Sequence, residues 1–208
     1  ALHFLPLSLF YLLHKIYHKI DEVVNFQGKD IVFIDTAAKF EEVNFYVDEA
    51  VKILENFGAK LRRLDVSCFQ SSAVPVSSQD KPFCYDKILA TINECDIIYI
   101  SGGNTFYLLN ELRKSRAAQA IKNVVKTGKI YIGESAGAIV AAPDTRYATL
   151  MDENSQNMSD FTGLNLVDVY VVPHFGCEPF AEATHEIMEK FGNLYDLRPI
   201  NNAEFIAL

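Results

Sequence analysis

The sequence predicts an α/β fold: a single-domain three-layer sandwich in which a mostly parallel sheet is covered by helices on both faces. Three observations carry this. Short apolar, β-branched runs alternate with amphipathic helical stretches along most of the chain, "DIVFID" at 30 to 35 and "DIIYI" at 96 to 100 being the clearest strands. The joints from helix to strand are very short, as at Asn56-Phe57-Gly58, where a glycine stop sits where the helical period runs out. The run Ile97-Ile98-Tyr99-Ile100 is almost continuously apolar, which fits a strand buried on both faces. With 208 residues, 50% of them hydrophobic, the chain can bury a sizeable core, and its length suits one domain over 1–208.

In chain order, the first feature is "ALHFLPLSLFYLL", an apolar run of 13 residues broken by His3, Pro6 and Ser8. It is too short to span a bilayer, has no basic stretch before it and no small-residue cleavage site after it. The expectation is an edge strand over 2 to 7 and a helix from about Leu9 with Leu12, Leu13, Ile16 and Ile20 on one face. His14 and His18 are four apart on that helix, a spacing that can hold a metal, but without a third ligand they read as solvent-facing, so no metal is expected. Helices follow over 40 to 57 and 83 to 94, with a strand at 61 to 66 between them. A second round has helices at 104 to 114 and 117 to 127, a strand at 129 to 133, a helix from 135, a strand at 168 to 172 and a helix over 179 to 191. The segment 67 to 82 reads as a loop excursion within the domain.

A formal net charge of −8, with no basic cluster longer than Arg62-Arg63, argues against nucleic acid as a partner. Cys68, Cys84, Cys95 and Cys177 have neither the spacing of a metal site nor the density of a secreted scaffold, so reduced thiols in the cytoplasm are expected. No cofactor and no membrane contact are expected; a homodimer is compatible with the sequence.

The chemistry centres on "KIYIGESAGAIV". Gly133-Glu134-Ser135-Ala136-Gly137 is a G-x-S-x-G that follows an expected strand and opens an expected helix. A sharp turn there thrusts the serine out above the strand ends. The helix N-terminus offers unpaired amides for the oxyanion formed when serine attacks a carbonyl. The bland alternative is close helix-to-strand packing with Ser135 as an N-cap. A nucleophilic serine needs a base, and His174 follows the strand "VYVVP", at the carboxyl end where open α/β sheets place their sites. A carboxylate should orient the imidazole, and spacing alone leaves Asp144, Asp152, Asp168, Glu204 and Glu134 open. A second glycine turn, Gly102-Gly103-Asn104-Thr105, opens the helix after 96 to 100 and lacks the lysine of a phosphate-binding loop. It reads as the other half of an oxyanion hole, with Gly102 or Gly103 joining Ala136 N–H.

Three motifs in this order, "GGNTFYLL", "IGESAGAIV" and "LNLVDVYVVPHF", resemble the peptidase E family of serine peptidases, which includes aspartyl dipeptidases and cyanophycinase-like enzymes. The resemblance covers the chain from about residue 30. It implies a flavodoxin-like or class I glutamine amidotransferase-like fold and hydrolysis of a peptide bond in small peptides. It further implies Ser135 as nucleophile, His174 as base, Glu204 in a C-terminal strand as the acid, and Asp152 as a further residue needed for activity. Asn104, Thr105 and Glu134 fall where substrate contacts are expected. Two positions depart from the pattern: Glu134 replaces a tryptophan typical of the dipeptidases, and 175 to 189 contains no Arg or Lys where a cation would read an aspartyl side chain. Two other readings remain. One is an α/β-hydrolase esterase, disfavoured because Ser135 and His174 are only 39 residues apart and the chain ends soon after. The other is a non-catalytic binding or sensor protein on the same fold.

Overall fold

The structure, a computed structural model, describes residues 7–41, 45–67 and 80–208. The edge strand expected over 2 to 7 lies outside these, save Leu7, which opens helix α1 (Leu7–Val24). Strand β1 (Asp30–Ile34) is followed by a 3-10 turn (Thr36–Phe40) and helix α2 (Phe45–Asn56), which lies within the helix expected over 40 to 57. Next come β2 (Lys60–Leu64), α3 (Asp80–Glu94), β3 (Ile97–Ile100), α4 (Thr105–Lys114), α5 (Ala117–Lys126), β4 (Ile130–Gly133) and α6 (Ala136–Ala141). A 3-10 turn at Arg146–Leu150 leads to β5 (Tyr170–Val172), α7 (Ala181–Phe191) and β6 (Leu197–Pro199).

The main sheet is parallel in the order β2-β1-β3-β4, and β5 and β6 form a separate parallel pair. Parallel pairing with near-continuous apolar strands needs cover on both faces. Side chains alternate accordingly. Val32, Ile34, Ile98 and Ile100 pack with Ile92, Leu108, Leu112 and Ile121 on one face. Ile31, Phe33, Ile97 and Tyr99 pack with Tyr17, Phe26, Val47 and Ile53 on the other.

Register decides where the chemistry falls. Ile34 is level with Leu64 and with Ile100, and Ile100 with Gly133, so the strands finish along one line. The ladder runs one residue further, Ser101 N–H donating to Ile34 O at 3.0 Å and Glu134 N–H to Ile100 O at 2.9 Å. The loops carrying Ser101 to Asn104 and Glu134-Ser135 therefore leave the sheet side by side. The second sheet is fastened over this edge by Phe106, Ile139, Tyr147, Val172 and Ile187, all buried, and by the Tyr147 hydroxyl, which donates to Val171 O at 2.8 Å.

No C-terminal strand carries Glu204. After Ile200 N–H reaches Val172 O at 3.0 Å, the chain turns at Asn202-Ala203.

Phe33 is fully buried and stacked on Tyr99, ring centroids 4.8 Å apart. Phe33→Ala should lower the unfolding free energy by about 3–5 kcal/mol. Urea denaturation followed by circular dichroism measures this, and a loss below about 1 kcal/mol would contradict the described core.

Candidate active site

The serine turn is built by close packing. A Cβ on Gly137 would lie 2.3 Å from Ile100 O, so only glycine lets α6 rest against the carboxyl end of β3. Between β4 and α6 the chain has no room for a relaxed corner. Ser135 takes φ 49° and ψ −110°, a sparsely populated conformation that costs about 1–3 kcal/mol. Its carbonyl accepts from Ala138 N–H and Ile139 N–H, at 2.9 and 3.0 Å, so the strained residue is locked at the helix start. The side chain makes no capping bond and points to the imidazole instead, with Oγ 2.9 Å from His174 Nε2.

His174 is presented by the loop after β5, where Val172-Pro173 ends the pairing. It has φ 61°, and its carbonyl accepts from Cys177 N–H at 2.9 Å, closing a tight turn. Phe180, just before α7, stacks on the imidazole with centroids 5.1 Å apart and planes at 26°. The other ring nitrogen, Nδ1, lies 2.6 Å from Asn202 Oδ1. Among the described residues no carboxylate is bonded to the ring. Glu204, the acid expected there, is turned to its own loop, where Oε2 accepts from Asn201 N–H at 2.9 Å. Asp144 and Asp168 do not reach the ring; Asp144 accepts from Arg146 N–H at 2.6 Å.

Asp152 comes close without touching. Its Oδ2 accepts from Thr105 N–H at 2.9 Å, at the N-terminus of α4. Burial raises its carboxyl above the ordinary range, while the bond from Thr105 and the field of His174 act in the opposite direction. Asn104 caps α4, its Oδ1 accepting from Tyr107 N–H at 2.8 Å and its Nδ2 donating to Glu153 O at 3.0 Å. Thr105 is fully buried. Asn104 and Thr105, expected at the substrate, thus have side chains placed within the wall of the site.

Glu134 also turns away from solvent. Its Oε2 accepts from the Tyr99 hydroxyl at 3.0 Å, and the Gly102 N–H, nearby, also favours the charged carboxylate. The Tyr99 hydroxyl is hydrogen-bonded in turn to that of Tyr17 on α1. Burial is the larger influence on Glu134 and raises its carboxyl, and the two donors partly offset it. The charge adjoining Ser135 in sequence is therefore held behind the serine by a chain from α1 through β3. Gly103 has φ 131°, and a Cβ there would lie 2.3 Å from the Ala37 carbonyl carbon, which excludes other residues. Tyr46 of α2 borders the same glycines: one ring carbon lies 3.7 Å from a Cβ built on Gly102, and its hydroxyl donates to Glu41 at 2.7 Å.

Asn202 and Tyr46 were not among the candidates read from sequence. Asn202 had only the weak signal of a polar Asn-Asn pair before the glutamate. Tyr99 had a better one, a hydroxyl in an otherwise aliphatic buried strand, which needs a partner. His14 and His18 are exposed, with His14 Nε2 3.9 Å from Glu49 Oε1. Among the described residues no three metal-ligating side chains gather, and no helix is long and apolar enough to cross a membrane.

A serine on a strained strand-to-helix turn, bonded to a histidine on an α/β scaffold, defines the class of serine hydrolases. Within it, the chain belongs to peptidase family S51, whose profile matches residues 10–208. It is a peptidase of the serine type by that membership. Relatives include uncharacterized peptidases of Pasteurella multocida, 42% identical over 91% of this chain and 86% of theirs, and of Listeria monocytogenes, 36% identical over 88% and 84%. A crystal structure of a provisionally assigned peptidase E protein from Listeria monocytogenes superposes with a TM-score of 0.77 at 35% identity, covering 91% of this chain and 87% of that one. Peptidase E of Escherichia coli is 40% identical over 42% of this chain and 37% of its own length.

Because burial raises the Glu134 carboxyl in the folded state, the native protein holds that proton to higher pH than the unfolded chain. Stability then falls as pH rises from the ordinary carboxyl range through the raised value. Glu134→Gln keeps an acceptor for Tyr99 without the charge, and should raise the melting temperature by a few degrees near neutral pH. Scanning calorimetry should show that gain shrinking towards zero as pH is lowered through the carboxyl range; a gain independent of pH would contradict the assignment.

Proposed function

We propose that the protein hydrolyses a peptide bond in short peptides, as an exopeptidase or dipeptidase, with Ser135 as nucleophile and His174 as its base. The observation that carries this is the 2.9 Å contact between Ser135 Oγ and His174 Nε2 at a strained turn. The hydroxyl is aimed at the imidazole rather than at its own helix, the arrangement nucleophilic catalysis requires. Nε2 takes the proton as Oγ attacks the scissile carbonyl, then delivers it to the leaving amine; water repeats the cycle to release the acyl group. Ala136 N–H, in the first turn of α6 with no carbonyl four residues back in its helix, and Gly103 N–H face the developing oxyanion. Asp152 lends negative charge to the imidazolium from a distance.

The Ser-His-Glu triad implied by resemblance has less support at its third member, since the Glu204 carboxylate is bonded to Asn201 N–H. Specificity for an N-terminal aspartyl residue is also weakly supported. Residues 175 to 189, which include most of α7, carry four glutamates and no Arg or Lys.

A fluorophosphonate probe should label the wild-type protein, and Ser135→Ala should abolish labelling. His174→Ala should slow it by about 10³-fold or more while leaving the fold intact by circular dichroism. No labelling of well-folded protein would sink the proposal. A library of dipeptides and isoaspartyl peptides should then show turnover that is not confined to N-terminal Asp, and much faster cleavage of short acyl esters than of any peptide would indicate an esterase instead.

A further inference from the structure

In the usual serine triad one carboxylate does two things. It holds the imidazole so that the nitrogen facing serine is free to take a proton, and it supplies negative charge to the imidazolium. Here the atom on His174 Nδ1 is Asn202 Oδ1, at 2.6 Å, and an amide carries no charge. The charge near the ring is on Asp152, which is bonded to Thr105 N–H and feels the histidine only through space. We propose that the two duties are divided: Asn202 is the positioning residue that fixes the His174 tautomer, and Asp152 is the separate source of charge. This deepens the serine-peptidase reading given above and rests on it.

The geometry explains why the division is workable. As an acceptor, Asn202 Oδ1 selects the tautomer with the proton on Nδ1, which leaves the Nε2 lone pair towards Ser135 Oγ at 2.9 Å. Asn202 is held by its turn: Asn201 N–H donates to Glu204 Oε2 at 2.9 Å, and Ala203 N–H to Asn201 Oδ1 at 2.8 Å. The strand pair delivers this turn to the ring, since Phe175 N–H donates to Ile200 O at 2.9 Å just past β5 and β6. Glu204 thus acts on His174 through the Asn202 turn, without contact. The groups facing the ring among the described residues are Ser135 from the elbow, Asn202 from the C-terminal turn, Phe180 stacked on one side and, through space, Asp152 beside α4. Asp152 is the charged one of the four.

The signs of the expected effects follow. A general base acts only when neutral, so kcat/KM falls away on an acid limb. Asn202→Asp adds a carboxylate at Nδ1, stabilises the imidazolium and moves that limb to higher pH. Asp152→Asn removes charge and moves it to lower pH. Asn202→Ala changes no charge: kcat should fall about 10²-fold with KM within about threefold, and the limb should stay in place. Glu204→Gln should cost less than Asn202→Ala, because it loosens only the turn. A merely structural Asn202 would leave the acid limb where it is in Asn202→Asp as well.

The tautomer is read without turnover from the 15N shifts of His174 in the intact protein at alkaline pH, where the ring is neutral and Nδ1 should be protonated and Nε2 bare. The inference is overturned if Nε2 carries the proton, if Asn202→Ala reacts with fluorophosphonate as fast as wild type, or if Asn202→Asp leaves the limb unmoved. Failure of the peptidase reading looks different: no labelling of Ser135 in wild type or in Asn202→Asp, whatever the tautomer.

Discussion

The seating of α6 on the carboxyl end of β3 is the contact on which the site depends. Because Gly137 has no side chain, the helix starts against Ile100 O, and of the two residues between β4 and α6 the second must turn through a strained conformation. That residue is Ser135. Parallel register then does the rest, since the ends of β1, β3 and β4 are level and the glycine turn at Gly102-Gly103 leaves the sheet beside the serine. Ordinary sheet geometry thus puts a nucleophile and backbone amides together, as expected at the carboxyl edge of an open α/β sheet.

The histidine belongs to a second unit of structure. Among the described residues β5 and β6 pair only with each other, and a buried cluster of Phe106, Ile139, Tyr147, Val172 and Ile187 fastens them to α4 and α6. The 2.9 Å contact between Ser135 and His174 therefore joins two sheets whose relative position is set by apolar packing. Packed interiors resist small displacements, which is how such a distance is kept without a covalent or ionic tie.

Two half-buried carboxylates, one next to the serine in sequence and one near the histidine, act differently because of their partners. Glu134 is bound by Tyr99 behind the elbow, next to the glycine turn. Asp152 is bound by Thr105 N–H and lies within the field of His174. Both are pushed towards the neutral form by burial, so the donors they meet decide how much charge each retains. The sequence shows the two acids equally plainly, but not which one the imidazole feels.

Most of the fold was legible in the sequence. The period of the apolar residues marked the strands and helices of the main sheet, and glycine placement marked the elbow at Ser135 and the turn at Gly102-Gly103, because these are short-range signals written within a few residues. His174 could be proposed from its place after a strand. The sequence did not determine what meets its other nitrogen: the glutamate at 204 looked suitable by chemistry, but a turn two residues earlier puts Asn202 on the ring and folds Glu204 back onto Asn201. Nor did it show that Glu134 faces Tyr99 rather than the substrate. Elements are set by local patterns, whereas a hydrogen-bond partner is chosen by differences of an ångström between segments far apart in the chain, and only tertiary packing fixes those.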